Sequence, residues 1–291
     1  MDYRDPAADS AATDPAATDP AGADPAGAAP RPGPAADRPG HNVTLRPEVA
    51  PDWMHRLVTG LDGEGGSREV RRLRERLTGR AGDGDSVRPA GRTGRRQAET
   101  ARDTRGAAVL VAVSGETAAD ASVLLTHRSP HMRSHAGQIA FPGGRIDPGD
   151  AGPVDAALRE AWEETGLDRT AVSPLAELGA VPVRRTGRPV HPVLAWWHTP
   201  AEVGVASPAE TDHVFSAPIA ELVDPGRRFT VAWGPWRGPA FAVEGYVVWG
   251  FTAAVLDGML RTAGWERPWS QRPARPLREA LAESRNNETL R

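Results

Sequence analysis

Large apolar residues are spread very unevenly along this chain, and that unevenness limits where a core can form. Between residue 106 and about residue 269, strand-like apolar runs recur at 107–113, 123–126, 175–183, 190–197 and 241–248. Helical patterns are interspersed at 153–165, stopped by Gly166, and at 251–262. Because strands and helices alternate irregularly, the pattern predicts an α/β fold with a mixed sheet packed between helices, not a regular doubly wound one. Residues 1–47 are the opposite case: mostly Ala, Asp, Pro, Gly and Thr, with Asp-Pro recurring at Asp14, Asp19 and Asp24. Such a stretch cannot bury enough surface to offset the entropy of ordering, so it reads as a disordered tail.

The intervening segment carries an apolar stripe, Trp53, Met54 and Leu57, and a helical pattern over 67–77 with Val70, Leu73 and Leu77 on one side. From Arg68 to Arg105 there are twelve Arg against six acidic residues and no aromatic ring. Interleaved acids and missing aromatics favour a solvated helix face and loop over a nucleic-acid surface. The expected division is therefore a tail (1–47), a helical extension with an Arg-rich loop (48–105), a globular domain (106–270) and a C-terminal tail (271–291) with one short helical pattern at 276–284.

Several chemistries are excluded outright. The chain has no cysteine, so no disulfide, thiolate metal site or Cys nucleophile exists. It also has no lysine, all 35 basic residues being Arg, which removes lysine Schiff bases and lysine general bases. A net charge of −3 points to neither nucleic acid nor membrane as partner. No secretory signal pattern and no apolar run of about 18 residues occurs, so the expectation is a cytoplasmic protein.

The most informative element is the helix over 153–165. At about 100° per residue, Glu160, Glu163 and Glu164 fall within roughly 100° of arc on one face. Like charges at i and i+4 disfavour a helix, and anions in its last turn oppose the dipole. An ordinary solvated acidic face is one explanation. The other is that a positive ion occupies it, and carboxylate oxygens suit the hard cations Mg²⁺ or Mn²⁺. Just upstream, Phe141-Pro142-Gly143-Gly144 supplies paired glycines, which form either a tight turn or a backbone able to approach a ligand closely.

From Gly144 to Leu167 the sequence resembles the Nudix box: Gly144, Asp150, Arg159, Glu160, Ala161, Glu163, Glu164, Gly166 and Leu167 occupy its fixed positions. Asp150 stands where Glu is usual, and eight rather than seven residues separate it from Arg159. A second stretch, Leu124-Leu125-Thr126-His127-Arg128-Ser129 with Arg133, Gly137 and Phe141, resembles the signature of the coenzyme A diphosphatase branch of that family.

The resemblance implies a Nudix-type α/β/α sandwich. It also implies Mg²⁺ or Mn²⁺ bound by Glu160, Glu163 and Glu164 with backbone help at Gly144, and an Arg159 that orients a glutamate. Substrate phosphates would meet Arg128, Arg133 and His135, whose alternative reading is plain surface charge. An extra acid from a distant loop is expected at Glu210, with an ordinary exposed loop acid as the alternative; Glu210 and Asp212 fall in a loop-like stretch over 207–213. The implied partner is a small nucleotide-containing molecule, coenzyme A or an acyl-CoA, and a homodimer is an allowed assembly. ADP-ribose, NADH or nucleoside triphosphates as substrates, or a sensor that binds nucleotide without turnover, remain open. Trp196, Trp197, Trp233, Trp236 and Trp249 could stack on a base or serve the core, and Trp162 covers the helix surface.

Overall fold

The computed structural model describes residues 43–61, 72, 106–182 and 188–290. Of the tail expected over 1–47, residues 1–42 lie outside the described residues, as does the helix expected over 67–77 apart from Arg72.

The central strand β1 (Ala107–Ser114) runs parallel to β7 (Pro189–Trp197), in register from Ala107↔Val190 to Val113↔Trp196. Around this pair the first sheet is ordered β3 (Ile139–Ala140), β2 (Ser122–Arg128), β1, β7 and β5 (Val172–Glu177). Three short partners complete it: β4 (Gly143–Arg145) on β1, β6 (Val181–Pro182) on β7 and β8 (Thr211–Pro218) on β2. Alternation along β1 decides the layering. Ala108, Leu110 and Ala112 point to one side, where α2 (Pro153–Thr165) packs through Ala156, Ala157, Leu158 and Ala161. Val111 and Val113 point to the other, into a core shared with α1 (His55–Leu61) and α4 (Gly250–Ala263). Helices thus cover both faces of a mixed sheet, the expected α/β/α sandwich.

A second sheet, β11 (Tyr246–Val248), β10 (Trp236–Val243), β9 (Arg228–Trp233) and β12 (Arg275–Pro276), joins that core through Phe241 and Val243. The helix α3 (Ile219–Leu222) follows β8, and α5 (Leu277–Ala282) packs Leu277, Ala280 and Leu281 against β9 to β11. Among the described residues no helix is long and apolar enough to cross a membrane.

Several sequence expectations are corrected. The single strand expected over 241–248 is a hairpin: Glu244 (φ 51°) and Gly245 (φ 79°) reverse the chain so that Phe241 faces Val248. The run over 175–183 is interrupted between β5 and β6. Asp212 and His213, expected in a loop, belong to β8, and the loop ends at Glu210. At the N-terminal side, the Arg46 N–H donates to the Pro174 carbonyl, so residues around 46 lie against β5. At the other end, the segment read as a C-terminal tail carries β12, α5 and the fully buried Asn286.

Candidate active site: an acidic helix against a glycine wedge

The helix α2 begins with Pro153, which is pre-set for a first helical turn, and ends at Gly166 in the left-handed conformation (φ 73°). Its small residues Ala156, Ala157 and Ala161 let it sit close to the sheet. That closeness also buries a polar residue of the same stripe, seven positions on from Ala157: the Glu164 side chain is only 3% exposed.

The sheet supplies the other half of the site. β1 and β2 pair only at their hairpin end, Val113↔Val123 and Ser114↔Ser122, and then diverge. The opening is filled by β3 on β2, β4 on β1 and Phe141-Pro142 between, with the Leu110 N–H donating to the Pro142 carbonyl at 2.9 Å. This wedge presses Gly143 and Gly144 against α2. The Gly143 N–H donates to Glu164 Oε2 at 3.1 Å. A Cβ at Gly144 would lie 2.5 Å from the Glu160 carboxylate carbon, and one at Gly143 would lie 2.4 Å from the Ala108 carbonyl oxygen. At Gly143, against backbone, only glycine fits, whereas at Gly144 a side chain fits only by pushing the Glu160 carboxylate aside. Gly144→Ala is accordingly expected to displace the Glu160 carboxylate and lower turnover at least about tenfold, for a destabilisation of only about 1–3 kcal/mol. Wild-type kinetics from a folded Gly144→Ala protein would contradict this packing.

Arg159 organises the acidic face. Its Nε and NH2 grip the two oxygens of Asp150 at 2.9 and 3.0 Å, its NH1 donates to Glu160 Oε1 and Glu163 Oε2 at 3.0 Å each, and NH2 also donates to the Arg145 carbonyl at 2.9 Å. Burial works against the guanidinium charge, but Asp150, Glu160 and Glu163 outweigh it and hold the group firmly protonated. Asp150, which the sequence reading left without a role, is the bidentate anchor of this clamp. The extra residue in the box loop does not prevent that contact.

Burial pushes the Glu164 carboxyl up to about 8, with Glu160 and Glu210 adding to the shift and Arg128 and the Gly143 N–H opposing it. Burial likewise pushes Glu160 up to about 7, against Arg159 and with help from Glu163 and Glu210. Glu160, Glu164 and Glu210 therefore repel one another across a poorly solvated space. Among the described residues no three His, Asp or Glu side chains form a ready-made metal cluster. Glu160 and Glu163 each give an oxygen to Arg159, and Glu210 is exposed at the end of its loop. The donor set still fits a hard divalent cation: every group is a carboxylate oxygen, and two are buried without enough positive charge beside them.

The wedge opens into a cleft of ≈ 610 Å³. Arg128, His135, Gln138, Gly143, Gly144 and Arg145 border it at this end. The Arg128 NH1 lies 3.9 Å from Glu164 Oε1, and its Nε is buried without a hydrogen-bond partner. His135 holds a left-handed conformation (φ 57°) and shares a hydrogen bond of 2.9 Å with Gln138. Arg133 is not brought to the cleft: it sits exposed on the turn between β2 and β3. The Glu210 carbonyl accepts from the Ser129 N–H at 2.8 Å, which ties its loop to the signature stretch. Of the tryptophans, Trp197 is buried in the core beneath α2, Trp196 packs against the core on the opposite face of the sheet, and Trp233, Trp236 and Trp249 line the cleft. A larger cleft, ≈ 1290 Å³, lies between β10, α4 and the segment around Trp269. No residue of the acidic helix borders either cleft, but the smaller one includes Gly143 and Gly144, which abut Glu164 and Glu160, and Arg128, which lies beside Glu164.

The NUDIX domain family matches residues 104–233, a span that contains both halves of this site. The uncharacterized Nudix hydrolase NudL of Escherichia coli (strain K12) is 37% identical over 152 residues, covering 46% of this chain and 71% of NudL. NudL of Shigella boydii serotype 18 matches to the same extent, 37% over 152 residues. Among solved structures, the Nudix hydrolase RenU of M. smegmatis is 19% identical with a TM-score of 0.41, covering 58% of this chain and 91% of RenU. The identity to NudL over most of its length, with the acidic helix and glycine wedge in place, shows that this chain belongs to the Nudix hydrolase family.

Proposed function

We propose that the chain hydrolyses the diphosphate linkage of coenzyme A or an acyl-CoA, releasing 4′-phosphopantetheine, or its acyl form, and adenosine 3′,5′-bisphosphate. One observation carries this reading above other Nudix substrates. The coenzyme A signature stretch is not remote from the box; its Arg128 and Phe141 line the same cleft as Gly143 and Gly144.

Glu160 and Glu164, with Glu163 and the Gly144 carbonyl beside them, would hold Mg²⁺ or Mn²⁺. A bound divalent cation supplies charge neutralisation of the diphosphate and acidifies a water. The chain's own residues do the rest. Arg159, fixed by Asp150, keeps Glu160 and Glu163 from swinging into solvent. The Gly143 N–H orients Glu164. Arg128, whose Nε lacks a partner, donates to a phosphate oxygen. Glu210, whose charge acts on both Glu160 and Glu164 from the loop before β8, accepts the proton of the attacking water at its carboxylate as the new phosphorus–oxygen bond forms, the bond from that phosphorus to the bridging oxygen breaks, and the other phosphate leaves with that oxygen.

The substrate is tested by comparing kcat/KM for CoA, dephospho-CoA, ADP-ribose and NADH with Mg²⁺. CoA is expected to lead. Arg128 contributes to every diphosphate substrate, so Arg128→Ala should reduce all of them by roughly 10- to 150-fold, one charge-assisted contact of about 1.5–3 kcal/mol. Arg133 is free to reach a 3′-phosphate only from outside the cleft. If it reads that phosphate, Arg133→Ala lowers the CoA to dephospho-CoA ratio alone. A clear lead for ADP-ribose or NADH would contradict the coenzyme A reading.

A further inference from the structure

We infer that the far end of the active-site cleft is an alkyl subsite, built by Trp233, Trp236 and Trp249, that selects acyl-CoA thioesters carrying a chain over those with a short acyl group. The inference rests on the coenzyme A reading above and names the part of the substrate which that reading leaves unassigned.

The three rings come together for local reasons. Trp233 ends β9 and Trp236 begins β10, and the turn through Gly234 (φ 56°) makes them a directly paired cross-strand couple. Opposite residues of an antiparallel pair project to the same face. Trp249 follows β11 and meets both: its ring lies 6.1 Å from Trp233 at 89° and 5.9 Å from Trp236 at 62°. Phe251 and Leu290 also line the cleft, and Leu290 packs on the same apolar cluster as Trp236 and Trp249. Trp233 is 41% exposed, so its ring is open to a ligand at the cleft.

The geometry distinguishes between a base and a chain. A nucleobase is held by a flat stacking slot and by donors and acceptors along its edge. Here the rings meet edge to face and form a corner, not a slot. Three of the polar groups nearby are engaged with each other: the Trp249 indole N–H donates to Glu288 Oε2 at 2.8 Å, and the Gln138 amide donates to Glu288 Oε1 at 2.6 Å. What the corner offers is ring faces and edges, which suit methylene groups. The basic end of the cleft, at Arg128, is continuous with it, so one molecule with an anionic diphosphate and an apolar tail matches both ends.

The test is the chain-length dependence of kcat/KM for acetyl-, butyryl-, hexanoyl- and octanoyl-CoA with Mg²⁺. Burial of each methylene predicts a rise of about two- to fourfold until the corner is filled. Trp233→Ala, a change at an exposed turn, should cut that slope to less than half. A flat wild-type series, or a parallel loss across all four substrates in Trp233→Ala, overturns the inference. Should no CoA thioester be cleaved, the coenzyme A reading itself has failed, and the subsite is then judged by binding alone. Tryptophan fluorescence with octyl phosphate and ethyl phosphate should show octyl phosphate binding at least about tenfold tighter, a difference lost in Trp233→Ala. Equal binding of the two overturns it.

Discussion

Glu164→Gln should reduce metal-supported turnover by about 10²–10⁴-fold, the range expected when a group acting directly on the reaction is removed. The same change should stabilise the metal-free protein above neutral pH. The argument follows from the carboxyl's position. Its ordinary value near 4.5 rises to about 8 in the fold, so between those limits the folded state holds a proton that the unfolded chain has released. Folding then takes up protons, and stability declines as pH rises through that window. Glu160, at about 7, acts in the same direction over a narrower range. Gln carries no charge to bury and can still accept from the Gly143 N–H. In EDTA at pH 8 the variant should therefore melt about 2–4 °C or more above wild type, for ~1 kcal/mol or more gained, and its Tm should vary less with pH. Mg²⁺ should raise the wild-type Tm and leave that of the variant nearly unmoved. A variant that melts lower than wild type at pH 8, or that turns over normally, would mean that Glu164 neither holds a cation nor suffers from burial.

Arg159→Met is expected to be the most destabilising single change on the acidic face. Met matches the length of the stem but removes every donor. Asp150, whose side chain is 2% exposed, would lose both of its guanidinium contacts, and Glu160 and Glu163 one each. Removing one partner of a buried ion pair costs about 3–5 kcal/mol, which corresponds to a fall on the order of 10 °C in Tm for a domain of this size. Arg159→Lys should recover little, because an ammonium cannot grip Asp150 with two parallel bonds while also reaching Glu160 and Glu163. Thermal unfolding of Arg159→Met, Asp150→Asn and the double variant measures the coupling directly. Additive losses would mean that the clamp contributes nothing as a unit.

The parts of this site that could be read from the sequence are those whose signals are local. The acidic helix was placed to the residue because Pro153 and Gly166 mark its ends and its apolar stripe has a clear 3.6-residue period. The glutamate face followed from spacing alone. What could not be read depends on contacts between distant segments. Nothing in the sequence shows that β1 and β2 diverge, so Phe141–Gly144 looked like a loop and not a two-strand wedge. Asp150 departs from the usual Glu of the box, and only its bidentate contact with Arg159 gives it a role. Arg133 and Arg128 are close in the chain, yet the turn between β2 and β3 carries only Arg128 into the cleft. Glu288 reaches Gln138 across 150 residues, and Asn286 accepts from the His127 ring through its carbonyl at 2.9 Å. A terminal segment of low hydrophobicity offers no sign of such a role. The tryptophan corner was likewise hidden, because a hairpin turn and a strand end place its rings together.

The most direct test of the account is the fate of CoA incubated with the full chain and Mg²⁺ in H₂¹⁸O, followed by mass spectrometry of the products. Attack by water on one phosphorus of the diphosphate predicts 4′-phosphopantetheine and adenosine 3′,5′-bisphosphate in equal amounts. One of the two should carry a single ¹⁸O, no inorganic phosphate should appear, and EDTA should abolish the reaction. Intact CoA, or dephospho-CoA with free phosphate, would contradict it.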